Sequence, residues 1–122
     1  MEIILIVEDI ESNYMLLQAY LDEYGMVSLI AKNGFEALDF VQSNSNIKLV
    51  LMDLNMPEMD GIYATKLIKA LRPDLTVIAQ TAYPNNNVQK EFEKYGFSAF
   101  LTKPFTQDQL WKKIEPFLKP SK

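Results

Sequence analysis

Residues 3–9 read Ile3-Ile4-Leu5-Ile6-Val7-Glu8-Asp9: five apolar side chains in unbroken succession, then two carboxylates. A strand with one face in water would alternate apolar and polar residues, so an unbroken run points to a strand covered on both faces. In practice that means a parallel sheet whose strands are joined by helical crossovers. Similar runs recur at Met26-Val27-Ser28-Leu29-Ile30, Leu49-Val50-Leu51-Met52, Val77-Ile78-Ala79 and Ser98-Ala99-Phe100-Leu101. The stretches between them carry helical spacing. Tyr14, Leu17, Leu21 and Tyr24 predict one buried stripe, as do Ala64, Leu67, Ile68 and Leu71, and Leu110, Ile114, Phe117 and Leu118. The chain is therefore expected to be α/β, a (βα)5 repeat forming a doubly wound five-stranded parallel sheet of order 2-1-3-4-5 with helices on both faces.

Local signals agree. Asn33 with Glu36, and Thr106 with Gln109, have the spacing of reciprocal N-terminal caps. Gly25 and Gly96 each close a helical stretch before a strand, where a left-handed residue is wanted. Pro116 should shorten or distort the last helix, and Lys119 to Lys122 should fray.

Composition narrows the chemistry. A chain of 122 residues, 48% hydrophobic and 23% charged, suits one compact domain spanning residues 1–122. It holds neither cysteine nor histidine, which removes disulfides, the usual zinc ligands, thiol nucleophiles and imidazole bases. Its formal charge of −4 and the lack of a Lys/Arg cluster argue against nucleic acid as a direct partner. The longest apolar run is far short of the roughly 20 residues that span a bilayer. No membrane association and a cytoplasmic location are the expectations.

In an open parallel sheet, ligands gather beyond the carboxyl ends of the strands. Those ends carry Glu8-Asp9 after the first strand, Asp53 after the third, Thr81 after the fourth and Lys103 after the fifth. Three acids converging on one crevice require a cation. Magnesium suits them, because it prefers oxygen ligands and binds through a few carboxylates together with a phosphate oxygen. Lys103 offers a point charge for a phosphoryl oxygen and Thr81 a hydroxyl donor, so the set describes a phosphoryl-transfer site. With no His or Cys, the candidate nucleophile is a carboxylate, and aspartyl phosphate is an established covalent species.

On these residues the chain resembles the receiver domain of two-component response regulators, including receivers fused to hybrid histidine kinases, a family with a flavodoxin-like fold. The segment Asp53-Leu54-Asn55-Met56-Pro57-Glu58-Met59-Asp60-Gly61 matches its phosphoacceptor motif, D-x-x-M-P-x-M-D-G. Ile4-Leu5-Ile6-Val7-Glu8-Asp9, Thr81-Ala82 and Lys103-Pro104-Phe105 match in order, and the likeness covers essentially the whole chain. The resemblance implies that Asp53 accepts a phosphoryl group from a phosphohistidine on a histidine kinase or histidine phosphotransfer domain. It implies a Mg2+ ion held by Glu8, Asp9, Asp53 and the backbone carbonyl of Asn55. Lys103 would contact the phosphoryl group and, before its arrival, Asp53. Thr81 and Phe100 would be the switch pair, Asn55 and Tyr83 would tune phosphoryl lifetime, and the Lys103–Pro104 bond would be cis. The output surface would be the fourth helix, fifth strand and fifth helix, roughly Asn86 to Phe117, a surface that could also support a homodimer. No output domain is expected within the chain, and catalysis would extend at most to its own phosphorylation and dephosphorylation.

Two residues depart from the common pattern. Glu8 stands where Asp is more frequent, lengthening that arm by a methylene, and Gln80 stands where an apolar residue is usual and would need hydrogen-bond partners if buried. Gln80-Thr81-Ala82-Tyr83 is closer to hybrid-kinase receivers than to stand-alone regulators. Met56 and Met59 are read as packing and turn residues, Asp60-Gly61 as mainly structural, and Tyr14, Tyr20, Tyr24 and Trp111 as core and partial surface packing. Three alternatives remain. An aspartyl-phosphate hydrolase of the haloacid dehalogenase type needs a second Asp where Asn55 stands. A flavodoxin-like cofactor carrier needs a phosphate-cradling loop where Glu8-Asp9-Ile10-Glu11 stands. A receiver-like domain that only binds partners with little phosphotransfer would usually lack the Asp or the Lys.

Overall fold

The computed structural model describes residues 2–56, 61–82 and 93–118. Five strands, β1 (Ile3–Val7), β2 (Val27–Ala31), β3 (Ile47–Asp53), β4 (Thr76–Thr81) and β5 (Ala99–Thr102), form one parallel sheet in the order β2-β1-β3-β4-β5. Among the described residues the helices are α1 (Glu11–Glu23), α2 (Gly34–Ser43), α3 (Gly61–Leu71) and α4 (Gln107–Ile114), the last continued by a 3-10 turn over Glu115–Phe117. The helix expected between β4 and β5 falls largely on residues 83–92, outside the described residues, as do Pro57 to Asp60 and Lys119 to Lys122.

The unbroken apolar run has the cause inferred from sequence. β1 lies between β2 and β3, with Leu5 in register with Leu29 and Val50, and all five of its residues are buried. Because side chains alternate along a strand, the run divides between two layers. Leu5 and Val7 join Val50, Met52, Val77 and Ala79 beneath Ala37 and Val41 of α2 and Ala64 and Ile68 of α3. Ile4 and Ile6 join Leu49, Leu51 and Ile78 beneath Leu17 and Leu21 of α1 and Leu110 and Ile114 of α4. A Leu or Ile fully enclosed in this way gains about 1.5–3 kcal/mol over exposure.

The helix stripes hold in their middles, and Tyr14 and Leu118 at two of their ends also pack against the core, but three other members turn out toward solvent. Tyr24, Leu71 and Phe117 are 37%, 45% and 37% exposed. Tyr24 follows the last residue of α1 and stacks on Trp111, ring centroids 4.2 Å apart and 8° from parallel, which ties α1 to α4. Leu71 is the last residue of α3. Phe117 lies beyond the α-helix, whose register stops at Ile114 where Pro116 enters the 3-10 turn. Three residues per turn rotates Phe117 away from the stripe.

The caps follow the sequence closely. The Thr106 hydroxyl accepts from Gln109 N–H at 3.1 Å, and Gln109 Oε1 accepts from Thr106 N–H at 2.9 Å. Asn33 Oδ1 accepts from Glu36 N–H at 2.8 Å, but Glu36 Oε1 reaches Lys32 N–H, one residue before the expected return bond. Gly25 and Gly96 have φ of +76° and +99°, the left-handed values that a side chain would oppose.

Candidate functional site

The carboxyl edge of the sheet gathers the predicted residues. Glu8 is the first residue past β1; its N–H donates to Ala31 O at 2.9 Å, so the ladder to β2 runs one residue beyond the strand and the side chain is fully buried. Asp53 ends β3, in register with Gln80 of β4, and is 2% exposed. Thr81 ends β4. Lys103 follows β5, and its N–H donates to Thr81 O at 2.8 Å. Four neighbouring strand ends thus point their polar groups into one crevice.

Carboxylate oxygens of Glu8, Asp9 and Asp53 lie within 4.8 Å of one another. Lys103 Nζ meets Glu8 Oε1 at 2.8 Å and Asp53 Oδ1 at 3.4 Å. The expected contact to Asp53 is present, but the shorter one is to Glu8, whose extra methylene carries Oε1 within reach of the ammonium. Glu8 Oε2 accepts from Ile10 N–H at 3.2 Å, which fixes the carboxylate against the first turn of α1 in place of a side-chain cap. Three carboxylates against one ammonium leave a formal excess of two negative charges (3 − 1 = 2). Like charges about 4 Å apart repel by about 4 kcal/mol at an effective dielectric near 20, so the crevice favours a divalent cation.

One oxygen is left open for such an ion. Asp9 Oδ1 is enclosed and has no hydrogen-bond partner among the described residues. A buried acceptor without a donor costs on the order of 1–3 kcal/mol, which a metal ligand bond would remove. A set of hard carboxylate oxygens with one vacant acceptor fits Mg2+.

The turn after β3 serves the same crevice. Asn55 N–H donates to Asp53 Oδ1 at 3.0 Å, and Asn55 Oδ1 accepts from the Thr81 hydroxyl at 2.6 Å. The sequence reading placed Asn55 by its backbone carbonyl and its effect on lifetime; the side-chain link to Thr81 was missed, because it joins residues 26 apart on adjacent strand ends. Gly61 opens α3 close behind Asp53: a Cβ there would lie 2.5 Å from Asp53 O. Phe100 is half-buried on β5, in register with Ala79 and against the α2–α3 layer, two residues before Thr102, the register partner of Thr81. The Lys103–Pro104 peptide is cis, as expected. Tyr83 lies outside the described residues.

Gln80 is 1% exposed, and neither its Nε2 nor its Oε1 has a partner among the described residues. The concern raised from sequence is therefore realised: a buried amide stands where an apolar residue would cost nothing.

The profile of the response regulator receiver domain matches residues 4–115. "Two-component response regulator 24" of Arabidopsis thaliana is 35% identical over 87% of this chain and 76% of its own length. "Sensor protein GacS" of Pseudomonas syringae pv. syringae is 34% identical over 88% of this chain, which spans only 12% of that longer protein. Among solved structures, the response regulator protein TrrA from Thermotoga maritima, in complex with Mg2+-BeF, superposes with a TM-score of 0.86 at 30% identity, covering 97% of this chain and 100% of that one. No helix among the described residues is long and apolar enough to cross a membrane.

Proposed function

Because the chain belongs to the response regulator receiver domain family, a family of signalling domains, we propose that it is the phosphoacceptor switch of a two-component relay, with Asp53 as the residue that takes the phosphoryl group. The observation that carries this reading is the Asp53 carboxylate, 2% exposed, held beside two further carboxylates and the Lys103 ammonium at one edge of the sheet. The donor is a phosphohistidine on a histidine kinase or phosphotransfer domain, since this chain has no histidine of its own.

Asp53 Oδ1 is engaged by Asn55 N–H and Lys103, which leaves Oδ2 to attack phosphorus. The new bond joins Oδ2 to phosphorus; the bond to the donor imidazole nitrogen breaks, and the imidazole keeps the electron pair and takes up a proton. A Mg2+ ion held by Glu8, Asp9, Asp53 and the backbone carbonyl of Asn55 supplies positive charge that neutralises the acids and the transferring group. The complex of TrrA with Mg2+-BeF supports Mg2+ as the ion. Lys103 turns its ammonium from Glu8 to a phosphoryl oxygen. Thr81 exchanges its 2.6 Å bond to Asn55 for a second phosphoryl oxygen, and Phe100 repacks behind it, shifting a two-state population at the surface from Asn86 to Phe117. Asn55 and Tyr83 set how long the aspartyl phosphate survives.

Incubation with acetyl phosphate and Mg2+, followed by intact-mass measurement, should add one phosphoryl group to the chain and none to Asp53→Ala. An unchanged mass for the unsubstituted chain in the presence of Mg2+ would overturn the proposal.

A further inference from the structure

Two donors reach the crevice from the ends of β4 and β5, and they are not equally ready for a phosphoryl group. Lys103 Nζ already lies 3.4 Å from Asp53 Oδ1. The Thr81 hydroxyl is committed to Asn55 Oδ1 at 2.6 Å, near the short limit for a bond between two oxygens. A hydroxyl carries one proton, so it cannot donate to Asn55 and to a phosphoryl oxygen at once.

Thr81 has little room to compromise between the two. It is 2% exposed, its backbone oxygen accepts from Lys103 N–H at 2.8 Å, and it closes β4, which is paired on both sides. With the backbone held, the hydroxyl is redirected by rotation about χ1, and a β-branched side chain has only a few discrete wells. The two bonds are therefore alternative states, not ends of a continuum. The other partner is held as well: Asn55 N–H donates to Asp53 Oδ1 at 3.0 Å, so the acceptor of the Thr81 proton sits on the turn that orients the phosphoacceptor.

We propose that Asn55 is a positioning residue that latches Thr81 in the resting domain, so that a phosphoryl group engages Thr81 only against the cost of breaking this bond. The inference rests on the phosphoacceptor reading and adds to it a restraint on activation, distinct from the lifetime of the aspartyl phosphate. A ligand shifts a two-state group only by what it gains in one state over the other. Deleting the Asn55 acceptor should therefore favour the activated state, although it removes a hydrogen bond from the protein.

The test uses the full chain, isotope-labelled, in saturating Mg2+, with beryllium fluoride as the stand-in for the phosphoryl group and NMR as the readout. Without this probe, the Thr81 hydroxyl proton should be protected from exchange and cross-relax with the Asn55 side-chain amide; with it, that cross-peak should vanish. Asn55→Leu, similar in size but without the acceptor, should bind the probe about two- to tenfold more tightly, the effect of one ordinary hydrogen bond. Thr81→Val should bind it more weakly, and adding Asn55→Leu to Thr81→Val should bring no gain, because the two residues act as a pair. No tighter binding by Asn55→Leu, an equal gain with and without the Thr81 hydroxyl, or a cross-peak that is absent at rest or survives saturation would each overturn the latch. The cross-peak is read on the unsubstituted chain and stands even if the variants fail to fold. Each of these results leaves the mass gain from acetyl phosphate untouched, whereas the phosphoacceptor reading itself fails by the absence of that gain.

Discussion

Glu8 shows how one methylene redistributes a charge network. Its longer arm places Oε1 2.8 Å from Lys103 Nζ, inside the 3.4 Å contact that the same ammonium makes with Asp53. Glu8 is fully buried and the Lys103 side chain is 19% exposed, so removing the lysine strands a carboxylate in a covered site. Breaking a buried pair from one side costs about 3–5 kcal/mol. Lys103→Met is therefore expected to lose stability of that order in chelator and to regain much of it in Mg2+, measured by urea unfolding in both conditions. Equal stability with and without Mg2+ would remove the cation from the account. The variant should keep its Mg2+ affinity or improve it, because the crevice loses a competing positive charge, yet accept phosphoryl groups from acetyl phosphate far more slowly. The acids, Thr81 and Lys103 were legible in sequence because their residue types follow apolar runs at the ends of strands. Their mutual preference was not, since the choice of Lys103 between Glu8 and Asp53 depends on side-chain reach across strands.

Within single elements, the strongest forecasts came from local geometry. Thr106 and Gln109 form the complete reciprocal cap that their spacing implies, and Thr106→Ala should cost about 1 kcal/mol, read as a shift in the urea midpoint without a change in slope. Asn33 and Glu36 have the same spacing, yet Glu36 turns back to Lys32 N–H, a choice set by the path of the chain leaving β2. Gly61 is the reverse case. Its place in the motif marked it as structural, but the reason is a distant contact: a Cβ would meet the backbone oxygen of Asp53 at 2.5 Å. Gly61→Ala should therefore destabilise by about 1–3 kcal/mol and also slow phosphorylation by moving Asp53. Loss of stability with an unchanged phosphorylation rate would show that the clash is relieved without disturbing the carboxylate.

Across the whole molecule, the sheet order brings three acids from β1 and β3 together and sets β4 and β5 beside them, so Mg2+ binding and folding should be linked. At a free Mg2+ concentration of about 100 times its dissociation constant, stabilisation should reach about 2.7 kcal/mol, measured as the difference in unfolding free energy between Mg2+ and chelator; Asp9→Ala should remove most of it. Hydrogen exchange should change between residues 86 and 117 on phosphorylation, and unchanged protection there would count against that surface as the output. Periodicity and composition were enough for the α/β class, the parallel sheet and the absence of thiol or imidazole chemistry, because alternation, helical stripes and missing residue types are properties of neighbouring positions along the chain. The family motifs then pointed to Asp53. Packing settled what depends on residues far apart in sequence: Tyr24 stacked on Trp111 instead of joining the core, Asn55 bonded to Thr81, Lys103 drawn to Glu8, and Gln80 enclosed with no partner among the described residues. Such contacts are fixed by which strand ends lie side by side and how far each side chain reaches, and no local pattern encodes either.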